Sequence, residues 1–259
     1  MKHISSRENA DYKALKKLAE SARERRKAGL LVLDGLHLVE SYAAAFALPE
    51  RVVVSTSGAQ RPDIAAWLRA HTDAALLMLD DALFNALSEV DTPSGILAVA
   101  RHPAARRPLS QSADTVVLDG IQDPGNLGSI LRSAAAAGFH QVVLSPDCAQ
   151  AWSPKVLRAG MGAHFQIALH EGIVLPEFLA AFRVQRVATA LEAAKDVFAL
   201  DLVGPVAWIF GSEGQGVRPE VLACVPVRAR IPMPGPTESL NVAAAAAICL
   251  FETVRQRRR

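Results

Sequence analysis

The sequence predicts an α/β protein of two domains, on three observations. Short apolar runs of strand length alternate with longer amphipathic or alanine-rich runs of helix length. The chain has 259 residues, enough for two ordinary cores. The stretch from Arg101 to Ala113 lacks apolar periodicity and separates two alternating series. The expected domains are therefore 1–104, a linker at 105–113, and 114–259.

The first series opens with a helix from Asp11 to Lys27. Leu15 and Leu18 lie on one side of it, the lysines and arginines largely elsewhere, and Gly29 ends it. Leu30 to Leu33 is a short buried strand, followed by a helix from Gly35 to Phe46 and a strand from Arg51 to Ser55. A helix at Pro62 to Ala70 and a strand at Ala75 to Leu79 come next. Asp80 caps a helix reaching Ser88, and Ile96 to Ala100 closes the domain as a strand. In the second series, strands are expected at Thr115 to Leu118, Gln141 to Ser145, Val184 to Ala190, Val206 to Phe210 and Val225 to Ile231. Helices are expected at Leu127 to Ala137, Pro154 to Met161, Leu175 to Phe182 and Leu240 to Arg257. This pattern describes a parallel, doubly wound sheet with ligands at the strand C-termini.

Composition narrows the class. Hydrophobic residues make up 51% of the chain, which excludes a disordered protein. The opening residues lack an apolar h-region, so no signal peptide is expected. The longest apolar run, Val242 to Phe251, is too short to span a bilayer. Cys148, Cys224 and Cys249 are widely spaced, with no Cys-x-x-Cys, so neither a disulfide framework nor a zinc site is expected. The expected setting is reducing and cytoplasmic, with no membrane and no metal.

Charge is uneven. Residues 1–27 carry nine Lys/Arg against four Asp/Glu, whereas residues 28–100 carry three against nine. The chain closes on Arg255-Gln256-Arg257-Arg258-Arg259. A basic head and tail suit a polyanionic partner. Only 14 aromatic residues are present, three Trp, two Tyr and nine Phe. Phosphate and shape, rather than many stacked bases, would then carry affinity for a nucleic acid.

Three segments carry the chemistry. The first runs Leu118-Asp119-Gly120-Ile121-Gln122-Asp123-Pro124-Gly125-Asn126-Leu127-Gly128-Ser129-Ile130-Leu131-Arg132. The second is Trp208-Ile209-Phe210-Gly211-Ser212-Glu213-Gly214-Gln215-Gly216-Val217. The third is Ile231-Pro232-Met233-Pro234-Gly235-Pro236-Thr237-Glu238-Ser239-Leu240-Asn241-Val242. Three alternate prolines stiffen the third segment and keep it out of a sheet. It leads into the last helix, where free N–H groups face whatever the loop covers. The second is a glycine-rich turn after a strand, which permits close backbone approach. Its Gly-x-x-Gly-x-Gly order is not a dinucleotide fingerprint, and no Lys-Ser/Thr follows as a Walker loop requires. Each polar residue also has a local reading. Asn126 and Ser239 suit helix N-caps, Arg132 an exposed helical position, and Glu213 a partner for donors in its own turn.

Taken in order, the three segments resemble the three motifs of the SpoU/TrmH branch of the SPOUT RNA methyltransferases. The resemblance covers residues 114 to 259 and, more weakly, the N-terminal part, where Leu33-Asp34-Gly35 precedes the first long helix. It implies a C-terminal SPOUT domain with a parallel sheet and a deep trefoil knot. It also implies a small N-terminal α/β domain that binds substrate. The general rules of topology argue against a knot, so only the resemblance supplies one. The implied activity is S-adenosylmethionine-dependent methylation of an RNA ribose 2′-hydroxyl by a homodimer. The residues implied around the reaction are Asn126, Arg132, Glu213, Ser239 and Asn241. Gly211, Ile231, Met233 and Leu240 are implied at the cofactor.

Methyl transfer from a sulfonium needs alignment of the nucleophile and help in losing its proton, and no metal. Arg132 has two readings. Either it accepts a proton transiently, or it remains a cation that holds phosphate and stabilises the developing alkoxide; its persistent charge favours the second. Family enzymes acting on tRNA usually lack the N-terminal domain, so the resemblance implies ribosomal RNA ahead of tRNA. A catalytically silent RNA-binding assembly factor on the same fold, and a Rossmann oxidoreductase, are the competing classes. The intact polar motif residues argue against the first, the absent fingerprint against the second.

Overall fold

A computed structural model describes residues 2–88, 92–103 and 108–258 of the chain. It divides into two compact units, Met1–Ala104 with Trp152–Phe165, and Ala105–Ala151 with Gln166–Arg259. The first begins with β1 (Lys2–Ile4), α1 (Ala10–Glu20), α2 (Ala22–Ala28), β2 (Leu30–Asp34) and α3 (Leu36–Ala45). It continues with β3 (Arg51–Ser55), α4 (Pro62–Ala70), β4 (Leu76–Leu79), α5 (Asp81–Asn85) and β5 (Ile96–Arg101). The second opens with β6 (Thr115–Asp119), α6 (Pro124–Ala136) and β7 (Gln141–Leu144). After α7 (Pro154–Gly160), which belongs to the first unit, come β8 (Ala168–His170), α8 (Leu175–Ala181), β9 (Gln185–Thr189) and β10 (Lys195–Asp196). Last are β11 (Val206–Gly211), α9 (Pro219–Leu222), β12 (Val227–Arg230) and α10 (Val242–Arg257).

The first unit holds a five-stranded sheet in the order β1-β4-β3-β5-β2. β5 runs antiparallel to both its neighbours, while β1, β3 and β4 are parallel. The helix expected from Asp11 to Lys27 is broken at Ser21. That residue leaves helical geometry at φ −118°, ψ 110°, and its Oγ accepts from the Glu24 N–H. A short hydroxyl side chain that bonds nearby backbone competes with helix continuation. Gly29 then ends α2 in the left-handed conformation, at φ 66°. Helix α7 lies late in the sequence, yet its Leu157 is buried in one cluster with Leu31, Leu38 and Val39. Its Arg158 pairs with the nearly buried Asp34 at 2.9 Å.

The second unit holds a seven-stranded sheet in the order β10-β12-β9-β11-β6-β7-β8, and every neighbouring pair is parallel. β6, β7 and β11 are buried along their whole length, which is why they read as unbroken apolar runs. β8 and β10 extend the expected five-stranded core at its edges. They are three and two residues long, too short for a periodic signal.

α10 packs against α6 and β11. Burial pushes the Cys249 thiol on this helix up to about 12, so it packs there as a small apolar group. The cations near its end are engaged within the chain. Arg255 pairs with Glu252 at 2.7 Å, and Arg257 with Asp114 at 2.6 Å. Arg257 also donates to the Leu202 and Gly204 carbonyls. Arg257 therefore ties the end of α10 to the segment before β11 and to Asp114. Among the described residues no helix is long and apolar enough to cross a membrane.

The buried Trp208 indole N–H donates to Thr253 Oγ1 at 3.0 Å, joining β11 to α10. Thr253→Val keeps the shape and orphans that donor. It should lower stability by about 1–3 kcal/mol in urea unfolding; unchanged stability would mean the bond contributes nothing.

Candidate functional site

Three loops leave β6, β11 and β12 of the second sheet at their carboxyl ends; β6 and β11 are neighbours, and β9 lies between β11 and β12. β6 ends at Asp119 directly opposite Gly211, the last residue of β11. β12 ends at Arg230, and residues 231–241 follow it. The three motifs thus meet at one edge of the sheet.

Helix α6 starts at Pro124, earlier than the periodicity predicts. Its N-cap is Asp123, whose carboxylate accepts from the Asn126 N–H at 2.7 Å. The capping role considered for Asn126 therefore belongs to Asp123, and the Asn126 side chain is left for other work. Its Nδ2 donates to Glu213 Oε1, and its Oδ1 accepts from Asn241 Nδ2 at 2.9 Å. Asn241 is itself the N-cap of α10, accepting from the Ala243 and Ala244 N–H groups at 2.9 and 3.3 Å. α10 begins at Val242, so Ser239 is an exposed loop residue and not its cap. One side-chain chain, Asn241 to Asn126 to Glu213, links all three motifs. Both ends of the Asn126 amide are committed, which fixes its orientation. Glu213 bonds outward from its turn, and the turn closes through the reciprocal pair Ser212 N–H to Gly216 carbonyl and Gly216 N–H to Ser212 carbonyl.

The other expected residues stand apart from this chain. Arg132 is exposed, six positions after Asn126 on α6, and its side chain makes no hydrogen bond or ion pair with another described residue. That interval carries it about 9 Å along the helix and rotates it by about 240°. Ile231 and Met233 are half-buried, and Leu240 is 39% exposed. No polar group of residues 231–240 is hydrogen-bonded to another described residue. A stiff loop with unpaired backbone groups and three apolar side chains, beside fixed amides, fits a ligand with an apolar ring and polar edges.

Gly211 differs from expectation. A Cβ there would lie 2.0 Å from the Gly216 carbonyl carbon and 2.1 Å from the Val217 nitrogen. Its lack of a side chain lets the turn fold back on its own strand, so close approach is made by the chain itself. Gly216, at φ +67°, completes the turn.

Sequence reading missed the residue that locks this turn. Asp119 is 1% exposed and accepts from the Arg218 backbone N–H at 2.9 Å, from Nε at 2.9 Å and from an Nη at 2.7 Å. Arg218 also reaches Asp147 at 3.1 Å. The bonds from Asp119 raise the Arg218 pKa still further above the ordinary arginine value. The available signal was positional: an Asp at a strand end and an Arg directly after the glycine-rich turn. Among the described residues no group of three or more His, Cys, Asp or Glu is arranged to hold a metal ion.

Fold and site together define an α/β protein that holds a ligand in loops at the carboxyl ends of a parallel sheet. The chain belongs to the SpoU rRNA methylase family, whose pattern matches residues 114–251. Residues 9–98 match the MRM3-like substrate binding domain. The Bacillus subtilis 23S rRNA (guanosine(2553)-2'-O)-methyltransferase RlmP is 32% identical over 97% of this chain and 98% of its own length. A crystal structure of an RNA 2'-O ribose methyltransferase aligns with a TM-score of 0.87 at 30% identity, over 99% of this chain and 100% of the other. The SpoU methyltransferase AviRb from Streptomyces viridochromogenes, solved in complex with AdoMet, aligns with a TM-score of 0.85 at 26% identity, over 96% and 98%.

Arg218→Ala would leave the Asp119 carboxylate buried without its cation. Removing one side of such a pair costs about 3 kcal/mol. Glu213→Gln, at an exposed position, should change stability by less than about 0.5 kcal/mol. Urea unfolding compares them, and equal small losses would remove the Asp119–Arg218 pair from its locking role.

Proposed function

We propose that this protein is an S-adenosylmethionine-dependent 2′-O-ribose methyltransferase of ribosomal RNA, acting on a guanosine. The observation that carries the reading is the Asn241–Asn126–Glu213 chain beside the unpaired 231–240 loop. Family membership and the activities of the relatives support it. The trefoil knot belongs to the same reading, supported by family membership. Residues 1–104 act as the substrate-binding domain, 105–113 as the linker and 114–259 as the methyltransferase domain, with 152–165 of the latter packed into the first unit, supported by the match at 9–98. The proposed setting is the cytoplasm, supported by the RNA substrate and three free cysteines.

S-adenosylmethionine supplies an activated methyl group. Ile231, Met233 and Leu240 line its apolar parts, and the Gly211–Gly216 turn frames it. Asn126, held between Glu213 and Asn241, presents a fixed amide to the ribose, and Ser239 adds a hydroxyl from the loop. Preset dipoles of this kind need no reorganisation as charge develops on the attacking oxygen. Arg132 holds the substrate phosphate and stabilises the developing alkoxide through its guanidinium charge.

Methylation of unmodified 23S rRNA by the whole chain tests the reading. Label on a ribose 2′-oxygen is expected; label on a base, or none, overturns it. Arg132→Ala should lower kcat about 100- to 1,000-fold, as for loss of a transition-state donor, with S-adenosylmethionine affinity held within about twofold.

The proposed active form is a homodimer in which Arg132 serves the cofactor loop of the partner subunit. Its distance and rotation from Asn126 support this. Mixing inactive Arg132→Ala subunits with inactive Leu240→Asp subunits should restore activity in heterodimers. Gly211→Val is unsuitable here, because its side chain would strike the turn's own backbone. No recovery, with subunit exchange verified, would mean that each chain completes its own site.

A further inference from the structure

Two consecutive helices of the first unit carry one charge pattern. α1 bears Lys13, Lys16 and Lys17, and α2 bears Arg23, Arg26 and Lys27. Each set has the spacing i, i+3, i+4, which gathers three cations on one helix face. All six are exposed. Lys13 pairs with Glu8, and Lys16 with Glu20 at 3.6 Å. The side chains of Lys17, Arg23, Arg26 and Lys27 make no hydrogen bond or ion pair with another described residue.

Helix stability does not account for the pattern. Like charges at i, i+4, such as Lys13 with Lys17 and Arg23 with Lys27, destabilise a helix. The helix dipole favours Arg26 and Lys27 in the last turn of α2 and disfavours Arg23 in the first. α2 has no apolar face; of its seven residues only Arg25 is buried. Arg25 Nη1 donates to the Leu18 and Ala19 carbonyls of α1 at 2.7 and 2.8 Å. The helix is held to the domain by a guanidinium clamp, and its remaining cations are left facing solvent. Elsewhere in this unit the balance reverses, with three Lys/Arg against nine Asp/Glu over residues 28–100.

We propose that the α1–α2 corner is the RNA phosphate-docking surface of the first unit, with both cation sets following the backbone of folded rRNA. The proposal rests on the methyltransferase reading and assigns its RNA contact to one surface. Charge complementarity selects the partner. An anionic membrane is the poorer fit, because Tyr12, Leu15 and Ala19, the apolar side of α1, are buried in the domain and leave no face to insert.

The test uses the full chain with Lys17→Gln, Arg23→Gln, Arg26→Gln and Lys27→Gln combined, and unmodified 23S rRNA transcript as the probe. Each phosphate contact contributes about 0.7–0.9 to the slope of log affinity against log salt. The quadruple variant should lose about 3 from that slope between 50 and 200 mM salt, as four such contacts imply. Its KM for RNA should rise about tenfold or more, by the same counterion term, with kcat at saturating RNA and S-adenosylmethionine affinity unchanged. The pairs Lys17→Gln with Arg23→Gln, and Arg26→Gln with Lys27→Gln, should each remove about half the slope change and serve if the quadruple variant misfolds. Exchanging Lys for Arg and Arg for Lys at all four positions should keep the wild-type slope. Unchanged slope and KM in a folded variant, with active wild-type enzyme, would overturn the surface alone. A wild-type chain that binds rRNA and transfers no methyl would overturn the methyltransferase reading, and the slope would still decide the surface. Loss of binding to phosphatidylserine vesicles with the RNA slope intact would replace RNA with a membrane.

Discussion

The parallel pairing of β6 with β11 is the constraint on which the site depends. It sets Asp119 opposite Gly211, so the first two motifs leave the sheet side by side. Both strands are buried on both faces, and a slip of one residue would turn every side chain to the wrong side. Asp119 then fastens to Arg218, and the turn between Gly211 and Arg218 has both ends held. α10 brings the third motif in by packing on α6. The polar chain from Asn241 through Asn126 to Glu213 is the outcome of these three placements.

Order is distributed unevenly across this edge. The turn after β11 is closed by its own backbone bonds, and its Gly211 has no room for a side chain. The loop after β12 is stiffened by Pro232, Pro234 and Pro236, yet its polar groups make no hydrogen bond to another described residue. Such a loop loses little conformational freedom when a ligand engages it, and it loses no internal hydrogen bond. Asn241 has two functions at once, since its oxygen caps α10 while its nitrogen fixes Asn126. For Asn241 a helix cap and a side-chain bond to another motif coexist.

Much of this was legible in the sequence. The central strands of the second sheet stand out because burial on both faces demands unbroken apolar runs, as in Val116-Val117-Leu118 and Ala207-Trp208-Ile209-Phe210. The three motifs could be joined only through the family resemblance, since strand order is not written in local periodicity. Ser21 looked like helix interior because its flanks are helical on both sides. Whether its hydroxyl caps or follows the helix is settled by tertiary packing. α7 was legible as a helix and not as a member of the first unit, because apolar residues such as Leu157 carry no label for the core they enter. Asp119 and Arg218 lie 99 positions apart, and their contact exists only once the sheet has formed.

Amide hydrogen exchange with and without S-adenosylmethionine tests the central claim most directly, because it reads the backbone groups the site holds in reserve. The account predicts new protection at Met233, Gly235, Thr237, Glu238, Ser239 and Leu240 and at Glu213 and Gly214 in the turn after β11, with the first unit unchanged. Binding that leaves these amides exchanging freely, or that protects the first unit instead, would contradict it.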